Sequence, residues 1–154
     1  MKITNRADYA LHALFYVASL EGRGLASINE IARAEGIPRE YLAKVLKELV
    51  RQGFLKSQRG VAGGYQLARP RKAITFLQVI EAMDGPFNPT MCTKPDDDRF
   101  GHRKGECPAS AFFANMKRWI VKDLSSMNHA DIPYEKFYSS SAAKAGAKRK
   151  KGVR

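Results

Sequence analysis

The sequence predicts a mainly α chain with one small β-hairpin, organised as a winged helix-turn-helix domain followed by a long dimerisation helix. Three observations predict it. Two apolar-periodic segments are separated by Gly36-Ile37-Pro38, residues 59–64 form a glycine-rich hairpin tip, and a second apolar stripe at heptad-like spacing runs through residues 108–128.

In chain order, a first helix is expected from Ala7 to about Leu20, led in by Asn5 or Arg6. Ala10, Leu14, Val17 and Ala18 make its apolar stripe and Gly22 stops it. Ser27 and Glu30 form an S-x-x-E capping box for a second helix that runs to Ala34, with Ile28, Ile31 and Ala32 on one face. Gly36, Ile37 and Pro38 end it. A third helix can start at Pro38, where a missing N–H costs nothing, and its Leu42, Val45, Leu46 and Leu49 follow the i, i+3, i+4, i+7 rule. The opposite face carries Arg39, Glu40, Lys44, Lys47 and Arg51, long polar side chains suited to phosphates and to base edges in a major groove.

Residues 53–68 read as a hairpin. Phe54 and Leu55 precede the tip Arg59-Gly60-Val61-Ala62-Gly63-Gly64, and Tyr65 and Leu67 follow it. Glycines there let the backbone take positive φ and approach another surface closely, while Arg59 supplies a cation. A wing beside a DNA backbone needs both. Pro70 then breaks the strand and Thr75 caps a helix lined by Phe76, Val79, Ile80 and Met83 up to Gly85-Pro86, where the DNA-binding domain, residues 1–86, closes.

From Phe87 onward apolar periodicity disappears, so residues 87–107 form a loop that holds both cysteines, Cys92 and Cys107. Pro108 starts the last helix, residues 108–128, whose Phe112, Met116, Trp119, Ile120, Leu124 and Met127 need a partner surface. The same helix of a second subunit would supply it, giving a homodimer. Residues 139–154 lack large apolar side chains and read as a disordered basic tail.

Composition bounds the function. A chain of 154 residues, 44% hydrophobic, suffices for one domain plus an appendage. The formal charge of +12 and a pI near 9.9 point to a polyanionic partner and away from acidic proteins or neutral metabolites. Lys144, Lys148, Arg149, Lys150, Lys151 and Arg154 supply half of that charge, and the body stays basic without them. No apolar run approaches the roughly 18 residues of a membrane span and no secretory signal is evident, which places the protein in the cytoplasm. Two cysteines in a reducing compartment are thiols or metal ligands rather than a structural disulfide. Neither paired carboxylates nor a nucleophile constellation marks an enzyme, and Gly60 to Gly64 lacks the Lys-Ser/Thr of a nucleotide-binding loop.

Asp8-Tyr9-Ala10-Leu11, Ile31-Ala32, Tyr41-Leu42 with Leu46 and Leu49, and above all Arg59-Gly60-x-x-Gly63-Gly64-Tyr65 resemble the IscR, NsrR and CymR family of bacterial transcription regulators, over roughly residues 1–127. The resemblance implies a homodimeric repressor or activator that binds a palindromic double-stranded operator. Arg39, Glu40, Tyr41 and Lys44 would face the major groove, Lys47 would reach phosphate, and Arg59, Gly60, Gly63, Gly64 and Tyr65 would form the wing contact. Many members hold an iron-sulfur cluster on three loop cysteines, whereas this loop has two. The resemblance makes Asp8 of the partner subunit a further candidate ligand, and His102 is a local one.

Three chemistries are open to the loop. One is a labile 2Fe-2S cluster on Cys92, Cys107, Asp8 and His102. A second has no cluster, with Cys92 and Cys107 as a thiol-disulfide pair or a loop without redox function. The third is zinc, although the spacing matches no common finger or ribbon. Asp8 as an ordinary carboxylate in a helix's first turn, Tyr41 as a core residue, and His12 and His129 as structural residues are the plain alternatives. A metabolic interaction module acting through a protein partner is the rival function.

Overall fold

Thr4 opens α1 (Asn5–Ser19) by accepting the Ala7 amide on its hydroxyl oxygen at 3.3 Å, and its own N–H and O–H donate to the Asp84 carboxylate at 3.1 and 2.5 Å. The structure, a computed structural model, describes residues 3–90, 93 and 107–138. α1 buries Ala7, Ala10, Leu11, Ala13, Leu14, Val17 and Ala18, a wider arc than the stripe expected from sequence. Most of these are alanines, and their small volume lets several elements close on α1 at native packing density.

The capping box at α2 (Ile28–Glu35) forms as the sequence predicted. The Glu30 amide donates to Ser27 Oγ at 3.3 Å, and the Ser27 amide donates to Glu30 Oε2 at 2.8 Å. These bonds hold the Glu30 carboxyl below its usual range. Gly36, at φ +66°, makes the left-handed turn that ends α2. Pro38 is the cap of α3 (Arg39–Arg51) rather than its first residue, and Leu42, Val45, Leu46 and Leu49 are buried as the spacing required.

The wing pairs β1 (Leu55–Gln58) antiparallel with β2 (Gly64–Leu67), Leu55 opposite Leu67 and Gln58 opposite Gly64. Its glycines differ in use. Only Gly60 takes a positive φ, +115°, whereas Gly63 and Gly64 are needed for space: an added Cβ would lie 2.3 Å from the Gln58 carbonyl oxygen and 2.7 Å from that of Ala26, respectively. Ala26 joins the hairpin as a third rung, exchanging backbone hydrogen bonds of 3.0 and 2.9 Å with Tyr65. The wing root is therefore sewn to the residue preceding the α2 cap.

A 3-10 turn, Arg71–Ala73, leads to α4 (Phe76–Asp84), where Thr75 and Gln78 form a second capping box and Val79, Ile80 and Met83 are buried. The last long helix, α5 (Ser110–Ser126), is shorter at both ends than expected. Its C-terminal limit has a clear cause. Met127 turns extended, its carbonyl accepts the Phe76 amide at 3.1 Å, and the His129 amide donates to the Ile74 carbonyl at 3.0 Å. The chain thus pairs with the segment before α4 instead of continuing the helix.

This return brings residues beyond 86 back against the N-terminal helices. His129 is completely buried against the Phe15 and Phe76 rings, its Nδ1 bonded to the Ile74 carbonyl at 3.0 Å. A short α6 (Tyr134–Tyr138), unforeseen from sequence, then packs on α1 through Tyr138 against Tyr16. Of this C-terminal segment, His129 and Tyr134 are buried. Leu124 of α5 touches that core, yet no residue of α5 is buried, and Phe112 and Trp119 are 67% and 74% exposed. Among the described residues no helix is long and apolar enough to cross a membrane. The basic tail, Cys92 and His102 lie outside the described residues.

Candidate nucleic-acid interface

The reading edge is built on the α2–α3 turn. Because Leu42, Val45, Leu46 and Leu49 fasten one side of α3 into the core, Arg39, Glu40, Tyr41, Lys44 and Lys47 are left on the exposed side. Position on the helix then sorts them. Arg39, Glu40 and Tyr41 form the first turn, the part of a recognition helix that reaches base edges, with Lys44 and Lys47 following. Arg51, in the last turn, is not an open cation: its Nε and Nη2 donate to Glu48 at 2.9 and 2.5 Å. Those bonds, together with one from Gln52, hold the Glu48 carboxyl down to about 2.

Sequence reasoning missed three residues of this edge. Arg39 Nε donates to Asn29 Oδ1 of α2 at 2.9 Å. Tyr41, 39% exposed, stands edge-on to Tyr9 of α1 with ring centroids 5.4 Å apart, which rules out full core packing. Asn5 and Tyr9 join Pro38, Glu40, Tyr41 and Lys44 around an open cavity of about 380 Å³. No local pattern announces them, because each lies on a different element from the residue it meets.

The wing presents Arg59, Gly60 and Val61 as its exposed tip. Gly63 is half-buried and Gly64 buried, their role being to let the turn close and the wing root meet Ala26. Tyr65 is half-buried against the core. Between the wing and the start of α2 lies a second open cavity of about 440 Å³, lined by Ser27, Ile28, Gln58, Arg59 and their neighbours. Arg59 with the polar Ser27, Ser57 and Gln58 gives this cavity a lining that suits a polyanion.

Of the candidate metal ligands, two are described. Cys107 carries a free, half-buried thiol, and its carbonyl accepts the Ser110 amide at 2.9 Å at the start of α5. Asp8 is in the first turn of α1, its side chain 59% exposed and 3.8 Å from His12 Nε2. His12, read as structural, bridges helices: its Nδ1 meets Glu35 Oε2 of α2 at 2.9 Å. Among the described residues no three or more His, Cys, Asp or Glu side chains converge as a metal site. A soft thiolate and an exposed carboxylate are donors that fit a cluster completed from outside these residues.

Residues 3–134 match the Rrf2 family, described as an iron-dependent transcriptional regulator. Among solved structures, the fold is similar to that of CymR (YrzC), the global cysteine regulator of B. subtilis. That match has a TM-score of 0.72 and 26% identity, covering 85% of this chain and 95% of that one. It is also similar to the oxidized form of Staphylococcus aureus CymR, with a TM-score of 0.66 and 26% identity over 83% of this chain and 92% of that chain. IscR of T. potens matches in fold, with a TM-score of 0.70 and 23% identity over 100% of this chain and 93% of that chain.

Proposed function

Because the chain belongs to the Rrf2 family and is thus a DNA-binding transcription regulator rather than an enzyme, we propose that it acts as a homodimer on a roughly palindromic operator. Its binding is modulated at Cys92 and Cys107, by an iron-sulfur cluster or by the redox state of the two thiols. The observation that carries this reading is the exposure of Arg39, Glu40, Tyr41 and Lys44 on the first turns of α3, together with the exposure of Arg59 at the wing tip. Arg39 and Lys44 donate to guanine edges or phosphates, Glu40 accepts from cytosine N4, and Lys47 neutralises phosphate. Arg59 and Gly60 follow the adjoining backbone or minor groove. Two such heads, joined through the exposed apolar side of α5, would address half-sites about one helical turn apart.

Cys92, Cys107, His102 and Asp8 of the partner subunit would hold the cluster, and when bound it supplies one-electron chemistry and sensitivity to iron. On the protein's side, Cys107 adjoins the first turn of α5, so a bond made through that thiol would fix where the helix begins. A changed angle between subunits would then bring the two α3 helices in or out of register with the duplex.

Gel shifts over a salt series test the DNA reading: affinity should fall steeply with salt while a preference for one sequence persists. Loss of that preference would favour an interaction module instead. The visible spectrum, iron and sulfide content of protein purified without oxygen separate the two sensing chemistries. Cys92→Ser and Cys107→Ser proteins that bind operator like the parent under oxidising, reducing and iron-depleted conditions would remove sensing altogether.

A further inference from the structure

Resting on the reading of α3 just given, we infer that Asn29 is a positioning residue for Arg39, and that it sets the preference of Arg39 for a guanine. The Asn29 side chain belongs to the first turn of α2, yet its Oδ1 accepts from Arg39 Nε at 2.9 Å across ten residues of sequence. Both side chains are exposed. An arginine at such a surface normally samples many rotamers, and ordering one on binding costs conformational entropy.

Here the amide oxygen occupies the Nε side of the guanidinium before any duplex arrives. Because the guanidinium is planar, fixing Nε fixes the direction of the remaining fork, the two terminal nitrogens. Those two nitrogens match the O6 and N7 acceptor pair of guanine in the major groove. Arg39 is the first residue of α3, the place from which a recognition helix reaches base edges. Asn29 therefore contributes to specificity without touching a base.

Selection of preferred duplexes from a random pool by the full-length chain supplies the probe. Affinities of the parent, Asn29→Ala, Asn29→Asp and Arg39→Ala are then measured on the selected duplex, on its single-pair variants and on an unrelated duplex. Arg39→Ala should erase the preference at one guanine-cytosine pair in each half-site. Asn29→Ala should weaken the preference at that same pair about threefold to tenfold, leaving the unrelated duplex and the salt slope unchanged. Asn29→Asp keeps an acceptor oxygen and should retain the preference while its added charge weakens all duplexes alike.

An Asn29→Ala protein that keeps its preference, or loses affinity equally on every duplex, overturns the role of Asn29 alone, provided Arg39→Ala flattens the pair. A parent that selects no sequence, or an Arg39→Ala protein with unaltered selection, overturns the reading of α3 beneath it.

Discussion

Tyr9 of α1 and Tyr41 of α3 meet edge to face, with centroids 5.4 Å apart and planes at 81°. The pair couples the central helix to the reading helix at its exposed end. Such ring pairs contribute about 0.5–1.5 kcal/mol beyond their buried area. A double-mutant cycle on unfolding stability with Tyr9→Leu and Tyr41→Leu should give a coupling energy in that range. Strictly additive effects would mean the contact is incidental.

The wing depends on two glycines for space rather than for flexibility. With a Cβ only 2.3 Å from the Gln58 carbonyl oxygen, Gly63→Ala must open the tip; with one 2.7 Å from the Ala26 oxygen, Gly64→Ala must part the wing from α2. Each should cost about 1–3 kcal/mol in chemical denaturation. Faster amide exchange at Tyr65 is expected in Gly64→Ala, since the bond from Tyr65 N–H to the Ala26 carbonyl is the one disturbed. Unchanged exchange would contradict this account.

Glu48 gives the fold an acid-sensitive clamp on α3. Hydrogen bonds from Arg51 and Gln52 hold its carboxyl down from 4.5 to about 2. A depressed carboxyl stabilises the folded state fully above the unfolded value, and the contribution is lost as pH falls from about 4.5 towards 2. Thermal melts of the parent and Glu48→Gln should therefore converge across that window.

His129 acts in a higher window. Burial holds its imidazole below the ordinary value of 6.5, against the opposing effect of the Ile74 carbonyl. The unfolded chain then takes up a proton that the folded one refuses, so stability should decline as pH drops below about 6.5. His129→Phe should remove that portion of the decline. An identical slope in both proteins would show that the buried ring is protonated in place.

Trp119 and Phe112 project from α5 with most of their surface open. If they form the centre of a subunit interface, Trp119→Lys should convert the protein to a monomer in sedimentation velocity and reduce operator affinity by at least tenfold. Aromatic anchors at interface centres typically contribute 2 kcal/mol or more. A dimer that persists unchanged places the interface elsewhere.

The sequence alone determined the pieces whose causes are local. The Ser27–Glu30 box, the Gly36 turn, the buried stripe of α3 and the β1–β2 hairpin each arise from residues within a few positions of one another, so spacing and residue type specify them. The same local reading placed Arg39, Glu40, Tyr41 and Lys44 on one exposed stretch of helix.

Tertiary structure decided what separates in sequence and meets in space. Ala26 bonding Tyr65, Asn29 holding Arg39, Tyr9 bracing Tyr41, and His129 buried against Phe15 and Phe76 leave no periodic trace, because each half of the contact obeys only its own element's pattern. The end of α5 belongs to this class too. Apolar spacing alone runs on to Met127, but pairing with Ile74 and Phe76 satisfies the backbone groups of Met127 and His129 in an extended form, and those long-range bonds settle where the helix stops.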